Sequence, residues 1–353
     1  WQYLWITDDI DFVESYGAEI FLEICRYWGD KAAFNEETGR FDIENVMGPD
    51  EFHEKYPHAE EGGLRNNAYT NIMVVWALNR AFDLLELISE EVKEALIERI
   101  DLTEGEMDQW RKISRQLTVP FSEDGIIEQF EGYFDLKELD WERYQKKYGD
   151  IHRMDRILKA EGKSPNEYKV AKQADALMIF YLLSGKEIDA ILTQLGYKPP
   201  ADLLEKNFHY YLQRASHGST LSRLVHACLA CKIGEHELSW KLYLDAVRSD
   251  FMDIQGGSTK EGIHMGVMTG TALFVLSAFA GLNWVGGRLS LGPKLPSGWR
   301  EIEFKLFFRK AEYSVIISSD VLRVKMEDEE ERTILVHDRE YAVQPGIWQE
   351  IQL

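Results

Sequence analysis

A short acidic segment that follows a Gly-Pro turn, residues 48–54, is the first place where this sequence could perform chemistry. It holds three carboxylates and one histidine within five consecutive residues, next to Phe52. Apolar and aromatic neighbours raise the pKa of a carboxyl group, and a general acid that works at neutral pH needs a raised pKa. Taken alone, however, the composition favours a solvated acidic loop.

A second candidate segment, residues 124–134, alternates polar with aromatic side chains. Glu128 and Gln129 stand beside Phe130, Tyr133 and Phe134. Sites for sugars combine aromatic faces, which stack on the ring, with carboxylates and amides, which bind hydroxyl groups. A loop packed by its own aromatic side chains explains the segment equally well.

Lys172 and Gln173 form a third candidate at the start of a predicted helix. An ammonium group and an amide at this place could recognise sugar hydroxyls. Because Val170, Ala174 and Leu177 define the inward face of the helix, both polar residues lie at or beside its edge. An exposed first turn is the simpler interpretation and is favoured by this pattern alone.

Two turns rich in hydroxyl groups form the fourth candidate, residues 216–222 and 255–264. Each contains a histidine, and each precedes a predicted helix. Free N–H groups at a helix N-terminus, together with hydroxyl and histidine donors, can bind an anion such as phosphate. Ordinary helix capping would account for one such turn, and two of them make an anion site an equal alternative.

These segments require elements that hold them in place, and most of the chain up to residue 285 has a helical pattern. In 168–183, apolar residues recur at i, i+4, i+7 and i+8, which predicts one buried helix face. Loops are predicted at 41–66, 120–136, 214–219 and 251–260. The other predicted helices are 10–29, 67–87, 89–100, 104–117, 200–214, 219–232, 236–248 and 260–281.

After residue 286 the pattern changes to short runs that alternate apolar with polar residues. Such period-two runs, separated by turn residues, are typical of antiparallel strands. The sequence therefore predicts two domains: a helical domain at 1–286, and a small antiparallel β-sandwich at 287–353. The fold class is mainly α.

Charge and cysteine content exclude several functions. The net charge is −21 and the pI is about 4.9, which disfavours binding to nucleic acid and to anionic membranes. No apolar run reaches the roughly 18 residues that a membrane helix requires. The three cysteines are too few and too scattered for a disulfide framework, and they fit a cytoplasmic protein without a metal site. Since Trp1 opens a helix-like segment without a cap, we expect the chain to be the C-terminal part of a longer protein.

Six segments, taken together and in this order, resemble glycoside hydrolase family 65, which includes maltose, kojibiose, nigerose and trehalose phosphorylases and some hydrolases. The resemblance implies an (α/α)6 barrel, here incomplete, followed by a small β-sandwich. In the family, a large N-terminal β-sandwich and a Trp-Asp pair that grips glucose precede the part matched here. The matching segments are GPDEFHE (48–54), NNAYTN (66–71), DGIIEQFEGYF (124–134), KQAD (172–175), HGSTLS (217–222) and GGSTKEGIH (256–264).

The resemblance also assigns roles to residues. It implies that Glu51 is the general acid and that Lys172 and Gln173 contact the transferred glucose. We add Glu128, Gln129 and His53 as further candidates for binding substrate. The predicted phosphate-binding residues lie in the two hydroxyl-rich turns: Ser219, Thr220, Ser258, Thr259 and His264. Residues 55–65 form a longer segment than in the maltose and kojibiose enzymes, close to the expected place of the leaving sugar.

These assignments predict inverting phosphorolysis of an α-glucosidic disaccharide to β-glucose 1-phosphate and a free acceptor sugar. Inorganic phosphate would be the co-substrate, with no cofactor, and a homodimer is expected from the family. An inverting hydrolase needs a carboxylate base as well as an acid, and Glu261 keeps that alternative open. A non-catalytic sugar-binding fragment is the third hypothesis, because the N-terminal part of the family's fold is missing.

Overall fold

A computed structural model describes residues 1–254, 260, 262–285 and 287–353, without the side chain of Val285. The chain is mainly helical with a C-terminal sheet region, as the sequence predicts. It forms two compact units: one comprises residues 16–268, and the other combines residues 1–15 with 269–353. The division into domains at 286/287 stays a prediction, although a strand already begins at Asn283.

The helices from residue 18 onward largely follow the apolar periodicity of the sequence. Asn67 caps the helix α4 (Ala68–Leu87), where its Oδ1 accepts from the backbone N–H of Thr70 at 2.9 Å. Ser219 caps the helix α12 (Thr220–Lys232). The longer helices of this unit are α3 (Ala18–Lys31), α4 (Ala68–Leu87), α5 (Glu90–Arg99), α6 (Glu104–Gln116), α11 (Leu203–Leu212), α12 (Thr220–Lys232) and α13 (His236–Met252).

The predicted helix at 168–183 is wrong in its first half, because α9 (Asp175–Leu182) begins only at Asp175. The residues directly before it are not helical, and Ala171 pairs with another segment. Ala171 N–H donates to the Arg214 carbonyl at 2.9 Å, and Ser216 N–H donates to the Ala171 carbonyl at 2.8 Å. Tertiary backbone pairing therefore overrides a helical spacing of apolar residues.

Three short helices and a hairpin were not predicted. They are α7 (Trp141–Tyr148), α8 (Met154–Ala160), α10 (Gly185–Gln194), and the antiparallel strands β1 (Ala32–Asn35) and β2 (Arg40–Ile43). The hairpin falls partly in a predicted loop. The predicted helix at 260–281 is shorter, since α14 covers Met265–Phe274 and a π-helical turn follows at Val275–Phe279.

The smaller unit contains the short helices α1 (Gln2–Thr7) and α2 (Ile10–Phe12) and two four-stranded sheets. One sheet is antiparallel, in the order β10-β7-β6-β5, and the other has the order β3-β4-β8-β9. In the second sheet β4 and β8 are parallel, which differs from the all-antiparallel prediction. The strands are β3 (Asn283–Val285), β4 (Arg288–Leu291), β5 (Glu301–Phe308), β6 (Ala311–Ser318), β7 (Val321–Glu327), β8 (Arg332–Val336), β9 (Arg339–Val343) and β10 (Gln349–Gln352).

The core of this unit is formed by the strand side chains that point inward, which alternate along each strand with side chains that point outward. Inward residues such as Val315, Ile317, Leu322 and Val324 are fully buried, while their chain neighbours face outward. Among the residues that the structure describes, no helix is long and apolar enough to cross a membrane.

A buried carboxylate in β2 ties the hairpin to its surroundings. Asp42 accepts hydrogen bonds from the side chains of Asn35, Arg65, Asn66 and Thr118. Burial alone would raise the pKa of Asp42, but these hydrogen bonds outweigh it and lower the pKa to about 2. The carboxylate therefore joins three segments that are distant in sequence.

Asp42→Ala should lower the free energy of unfolding by about 3 kcal/mol, because it leaves several buried donors without an acceptor. Urea denaturation at pH 7 measures this effect. Because the folded pKa lies below that of the unfolded chain, the difference between the parent and the variant should shrink as the pH falls from about 4. The matched variant Asp108→Ala removes an exposed carboxylate and should change stability by less than about 0.5 kcal/mol. Equal effects of the two changes would contradict the role given to Asp42.

Candidate active site

The acidic loop 48–54 connects β2 with α4 and carries Glu51 at the surface. The Glu51 side chain is 68% exposed, and its Oε2 accepts from Lys172 Nζ at 2.8 Å. Lys172 lies in the non-helical segment that precedes α9. Two candidates that are 121 residues apart in sequence are thus in direct contact.

Directly behind this pair lies a group of buried hydrogen bonds, here called the Asp50 junction: the carboxyl groups of Asp50 and Asp175 and the donors bonded to them. Asp50 Oδ1 accepts from the backbone N–H groups of Phe52 and Lys172, each at 3.1 Å. Its Oδ2 accepts from Gln129 Nε2 at 3.2 Å. The backbone N–H of Asp50 donates to Asp175 Oδ1 at 2.6 Å. The junction therefore joins the acidic loop to the segments that carry Gln129 and Lys172.

Space in the junction depends on a glycine. A Cβ atom built on Gly48 would lie 1.8 Å from Asp175 Oδ2 and 2.5 Å from Asn67 Nδ2, closer than nonbonded atoms approach. That oxygen accepts from Asn67 Nδ2 at 3.0 Å. The glycine in the motif thus lets the loop pass directly over the start of α9.

Burial controls the ionisation of the two carboxyl groups. It raises the pKa of Asp50 to about 7, despite the opposing hydrogen bonds from Phe52, Lys172 and Gln129. It also raises the pKa of Asp175 well above its ordinary value, and the nearby Asp50 charge raises it further. Near neutral pH, the two groups therefore resist ionising together.

The remaining predicted substrate ligands surround the junction. The Gln129 side chain is 1% exposed, and its Nε2 donates to Asp50. Gln173 Nε2 donates to the Pro49 carbonyl at 3.3 Å. Glu128 accepts from the backbone N–H of Phe134 at 2.7 Å, and its pKa is raised, chiefly by burial. These contacts make the residues part of the loop framework, and their contact with substrate stays a prediction.

His53 is also buried, at 1% exposure. Its Nε2 lies 3.0 Å from the Tyr168 carbonyl, so this nitrogen donates. Burial lowers the pKa of His53 to about 4, and the ring packs against Phe130 and Tyr133. The contacts favour a role in anchoring the loop over direct contact with a sugar.

The first hydroxyl-rich turn lies beside Lys172. The bridge between Ala171 and Ala215 brings the turn there, and a Cβ atom on Gly218 would lie 3.3 Å from Lys172 Cγ. Ser219 caps α12 through its hydroxyl group, which accepts from the backbone N–H of Leu221 at 3.3 Å. Thr220, the first residue of α12, is buried.

A buried cation lies behind this turn. Arg223 contacts His152 Nε2 at 3.2 Å and the His217 carbonyl at 3.4 Å. Because His152 Nδ1 lies 2.9 Å from the Ser216 carbonyl, Nδ1 donates there and Nε2 accepts from Arg223. Burial lowers the pKa of Arg223. The arginine charge near a helix N-terminus creates a local environment that favours an anion.

Only part of the second turn lies within the described residues. His264 Nδ1 lies 2.6 Å from Asp250 Oδ1, and the backbone N–H of His264 donates to Asp250 Oδ2 at 2.9 Å. Asp250 thus orients the imidazole from the last turns of α13. Ser258, Thr259 and Glu261 lie outside the described residues.

A cleft of about 540 Å³ opens beside Glu51. Its walls all come from the connection between β2 and α4, and two of them belong to the longer segment 55–65: Asn45, Val46, Met47, Glu51, Glu54, Gly62 and Gly63. Within the described part of the chain, no group of histidine, cysteine and carboxylate side chains could hold a metal ion. The cleft thus offers exposed carboxyl groups next to space for a small molecule.

Sequence reasoning missed several residues of this site. The motif KQAD (172–175) assigns no role to Asp175, and the sequence motifs assign none to Asp250, His152 or Arg223. Acidic residues favour helix N-termini, but the helix predicted at 168–183 places Asp175 in its interior, and only the structure shows that α9 begins at Asp175. The partners of Asp250 and His152 lie 14 and 64 residues away along the chain, and no local pattern marks them.

Comparison with known proteins gives a consistent result. Residues 1–273 match the glycosyl hydrolase family 65 central catalytic domain, and residues 282–343 match the C-terminal domain of the same family. An uncharacterized glycosyl hydrolase of Mycobacterium tuberculosis is 43% identical over 90% of this chain and 24% of that protein. The trehalose 6-phosphate phosphorylase of Lactococcus lactis is 40% identical over 91% of this chain and 40% of that protein.

More distant relatives agree. A kojibiose phosphorylase of Caldanaerobacter subterraneus is 30% identical over 97% of this chain and 42% of that protein. A solved structure, a putative kojibiose phosphorylase from the human microbiome, shares the fold with a TM-score of 0.78 at 22% identity, over all of this chain and 48% of that one. The chain thus spans less than half the length of each of these relatives.

The raised pKa values in the Asp50 junction predict a pH effect on stability. The folded state holds protons that the unfolded chain releases near pH 4, so this contribution to stability is lost as the pH rises through about 7. Asp175→Asn removes one of the two charges. The melting temperature of the variant minus that of the parent should therefore increase between pH 5 and pH 8. A difference that decreases over this range would contradict the prediction, and exposed Asp189→Asn should show no trend.

Proposed function

The chain belongs to glycosyl hydrolase family 65, and we propose that it carries the acid and phosphate sites of an enzyme that cleaves α-glucosidic disaccharides by inverting phosphorolysis. The products would be β-glucose 1-phosphate and a free acceptor sugar. One observation carries the proposal: Lys172 donates to Glu51 and lies beside Gly218 in the turn 216–222. The predicted acid and one predicted anion-binding turn therefore lie beside the same lysine.

Glu51 is the general acid in this proposal. Unlike Asp50, which is enclosed in the junction, Glu51 is exposed and lines the cleft where the leaving sugar would lie. Lys172 now donates to Glu51, and glucose bound by Lys172 would compete for that donor. Glu51 in its protonated form would then face the glycosidic oxygen.

The reaction needs one acid and a held nucleophile. Glu51 gives its proton to the glycosidic oxygen as the bond from that oxygen to the anomeric carbon breaks, with the electron pair going to the oxygen. A phosphate oxygen attacks the anomeric carbon from the opposite face, which inverts the configuration. The proton that phosphate loses on forming the ester restores Glu51 by way of solvent. Ser219, Thr220 and His264, with Ser258 and Thr259, would hold the phosphate.

Hydrolysis is the second candidate, since one relative is named a glycosyl hydrolase. It would require a carboxylate base opposite Glu51, with a water molecule between the two groups. Among the described carboxylates near the site, Asp50 and Asp175 are enclosed in the junction, and Asp250 is bonded to His264. Glu128 is bonded to the Phe134 backbone, and Glu54 lines the same cleft as Glu51, where the leaving sugar would lie. This arrangement supports phosphorolysis over hydrolysis, although Glu261 lies outside the described residues.

Trehalose 6-phosphate is the first substrate to test. The Lactococcus lactis trehalose 6-phosphate phosphorylase is 40% identical to the chain, whereas the Caldanaerobacter kojibiose phosphorylase is 30% identical. Trehalose and kojibiose complete the comparison. The same set of substrates tests whether the acceptor must carry a phosphate group.

Cleavage of the disaccharide should depend on inorganic phosphate. We expect the complete polypeptide that contains this chain to release β-glucose 1-phosphate with phosphate present, and less than about 1% as much glucose without it, because phosphate is the nucleophile. Product analysis by NMR identifies both the ester and its anomeric configuration. Equal cleavage in phosphate-free buffer would establish hydrolysis instead.

Glu51→Gln should lower kcat on the disaccharide by about 10²- to 10⁴-fold, since the amide has no proton of suitable acidity to give. Steady-state kinetics with saturating phosphate measure the change. Glu142→Gln, which alters an exposed glutamate in α7, serves as the control and should keep normal activity. Near-normal turnover of the Glu51 variant would remove Glu51 from the acid role.

A further inference from the structure

Two buried carboxyl groups take no direct part in the proposed reaction. Asp50 and Asp175 are each 1% exposed, so neither reaches a sugar in the cleft beside Glu51. Placing two carboxyl groups close together in the interior is unfavourable unless their hydrogen bonds compensate for the lost hydration. Their position directly behind the Glu51–Lys172 pair suggests what the arrangement provides.

We propose that Asp175 is a positioning residue for the general acid: through Asp50, it fixes the loop that carries Glu51 to the segment that carries Lys172. The inference rests on the proposed function, in which Glu51 protonates the leaving oxygen. Asp175 itself touches neither substrate nor phosphate in this scheme.

The hydrogen bonds form a continuous path. Asp175 Oδ1 holds the backbone N–H of Asp50, the residue next to Glu51, at 2.6 Å. The Asp50 carboxylate holds the backbone N–H of Lys172 at 3.1 Å. Lys172 Nζ closes the ring on Glu51 Oε2 at 2.8 Å. Both partners of the exposed ion pair are therefore fixed by backbone bonds to buried carboxylates, whereas the exposed pair alone would be weak.

Asp175 is held at the starts of two helices. Asp175 is the first residue of α9, and its Oδ2 accepts from Asn67 Nδ2, whose side chain also caps α4. Gly48 leaves no spare volume beside that oxygen. The loop is thus fixed against the starts of α4 and α9, and these two helices set the position of Glu51.

Misplacing an acid by about 1 Å can cost about 10²-fold in rate. The catalytic rate should fall only for substrates whose leaving group must be protonated. A sugar alkoxide needs one, whereas fluoride is a weak base and leaves without one. α-Glucosyl fluoride with phosphate as acceptor therefore measures the remaining machinery independently of the acid.

Asp175→Asn is the principal test, in the complete polypeptide that contains this chain. The side chain keeps its size, but its amide can no longer accept from both Asp50 N–H and Asn67 Nδ2. We expect kcat on the disaccharide to fall by about 10²-fold, and kcat on α-glucosyl fluoride to stay within about threefold of the parent. A uniform loss on both substrates would show a merely structural role, and no loss on either would also overturn the inference.

A second variant covers the case in which Asp175→Asn does not fold. Asn67→Ser keeps a side chain that caps α4 well but removes the donor to Asp175 Oδ2. It should reduce disaccharide turnover by about tenfold and spare α-glucosyl fluoride. Exposed Asp189→Asn is the matched control and should leave both activities unchanged.

Glu51→Gln separates this inference from the proposed function. If Glu51 is the acid, its variant should also lose disaccharide turnover and keep α-glucosyl fluoride turnover. If it does so while Asp175→Asn lowers both activities equally, only the positioning role is wrong. If Glu51→Gln leaves disaccharide turnover intact, the proposed function fails first.

Discussion

The buried carboxylate of Asp50 is the interaction on which the arrangement of the candidate site depends. It accepts hydrogen bonds from Phe52 in its own loop, from Gln129 and from Lys172. These donors come from three segments that are distant in sequence, and each segment carries a candidate functional residue. A single acceptor in a low-dielectric interior can specify such a meeting point, because a misaligned donor would leave a buried polar group unsatisfied.

The second carboxyl group, Asp175, makes it less favourable to bury a charged Asp50. It also holds the loop in one position by accepting from the backbone N–H of Asp50. Burial raises the pKa of both groups, so the folded chain tolerates the pair best when the two groups carry less than two charges. Gly48 is required because any side chain there would collide with Asp175 Oδ2. A glycine, two aspartates and an asparagine thus form one unit, although they belong to three separate sequence motifs.

The site divides the work of the proposed reaction between two electrostatic regions. The acidic loop offers a carboxyl group to solvent at the cleft, and the region behind the turn 216–222 contains a buried guanidinium and histidines. Lys172 lies between these regions. An enzyme that uses phosphate as nucleophile needs this polarity, because it must hold an anion opposite an acid without providing a base.

By itself, the sequence determined the mainly helical class, the change to strands near residue 286, the boundaries of most long helices, and the family. The periodicity of apolar residues acts locally, so a single sequence reveals it. The short helices α7, α8 and α10 lack a long periodic pattern. The segment before α9 is not helical, although its apolar residues recur at a helical spacing. Only the tertiary structure shows that Ala171 forms a bridge with Ala215 and that Lys172 donates to Glu51. It also decides which donors bind the carboxylates of Asp50, Asp175 and Asp250. These contacts join residues whose separation in sequence has no periodic relation, and they exist only because the packed helices bring distant backbone groups within hydrogen-bonding distance.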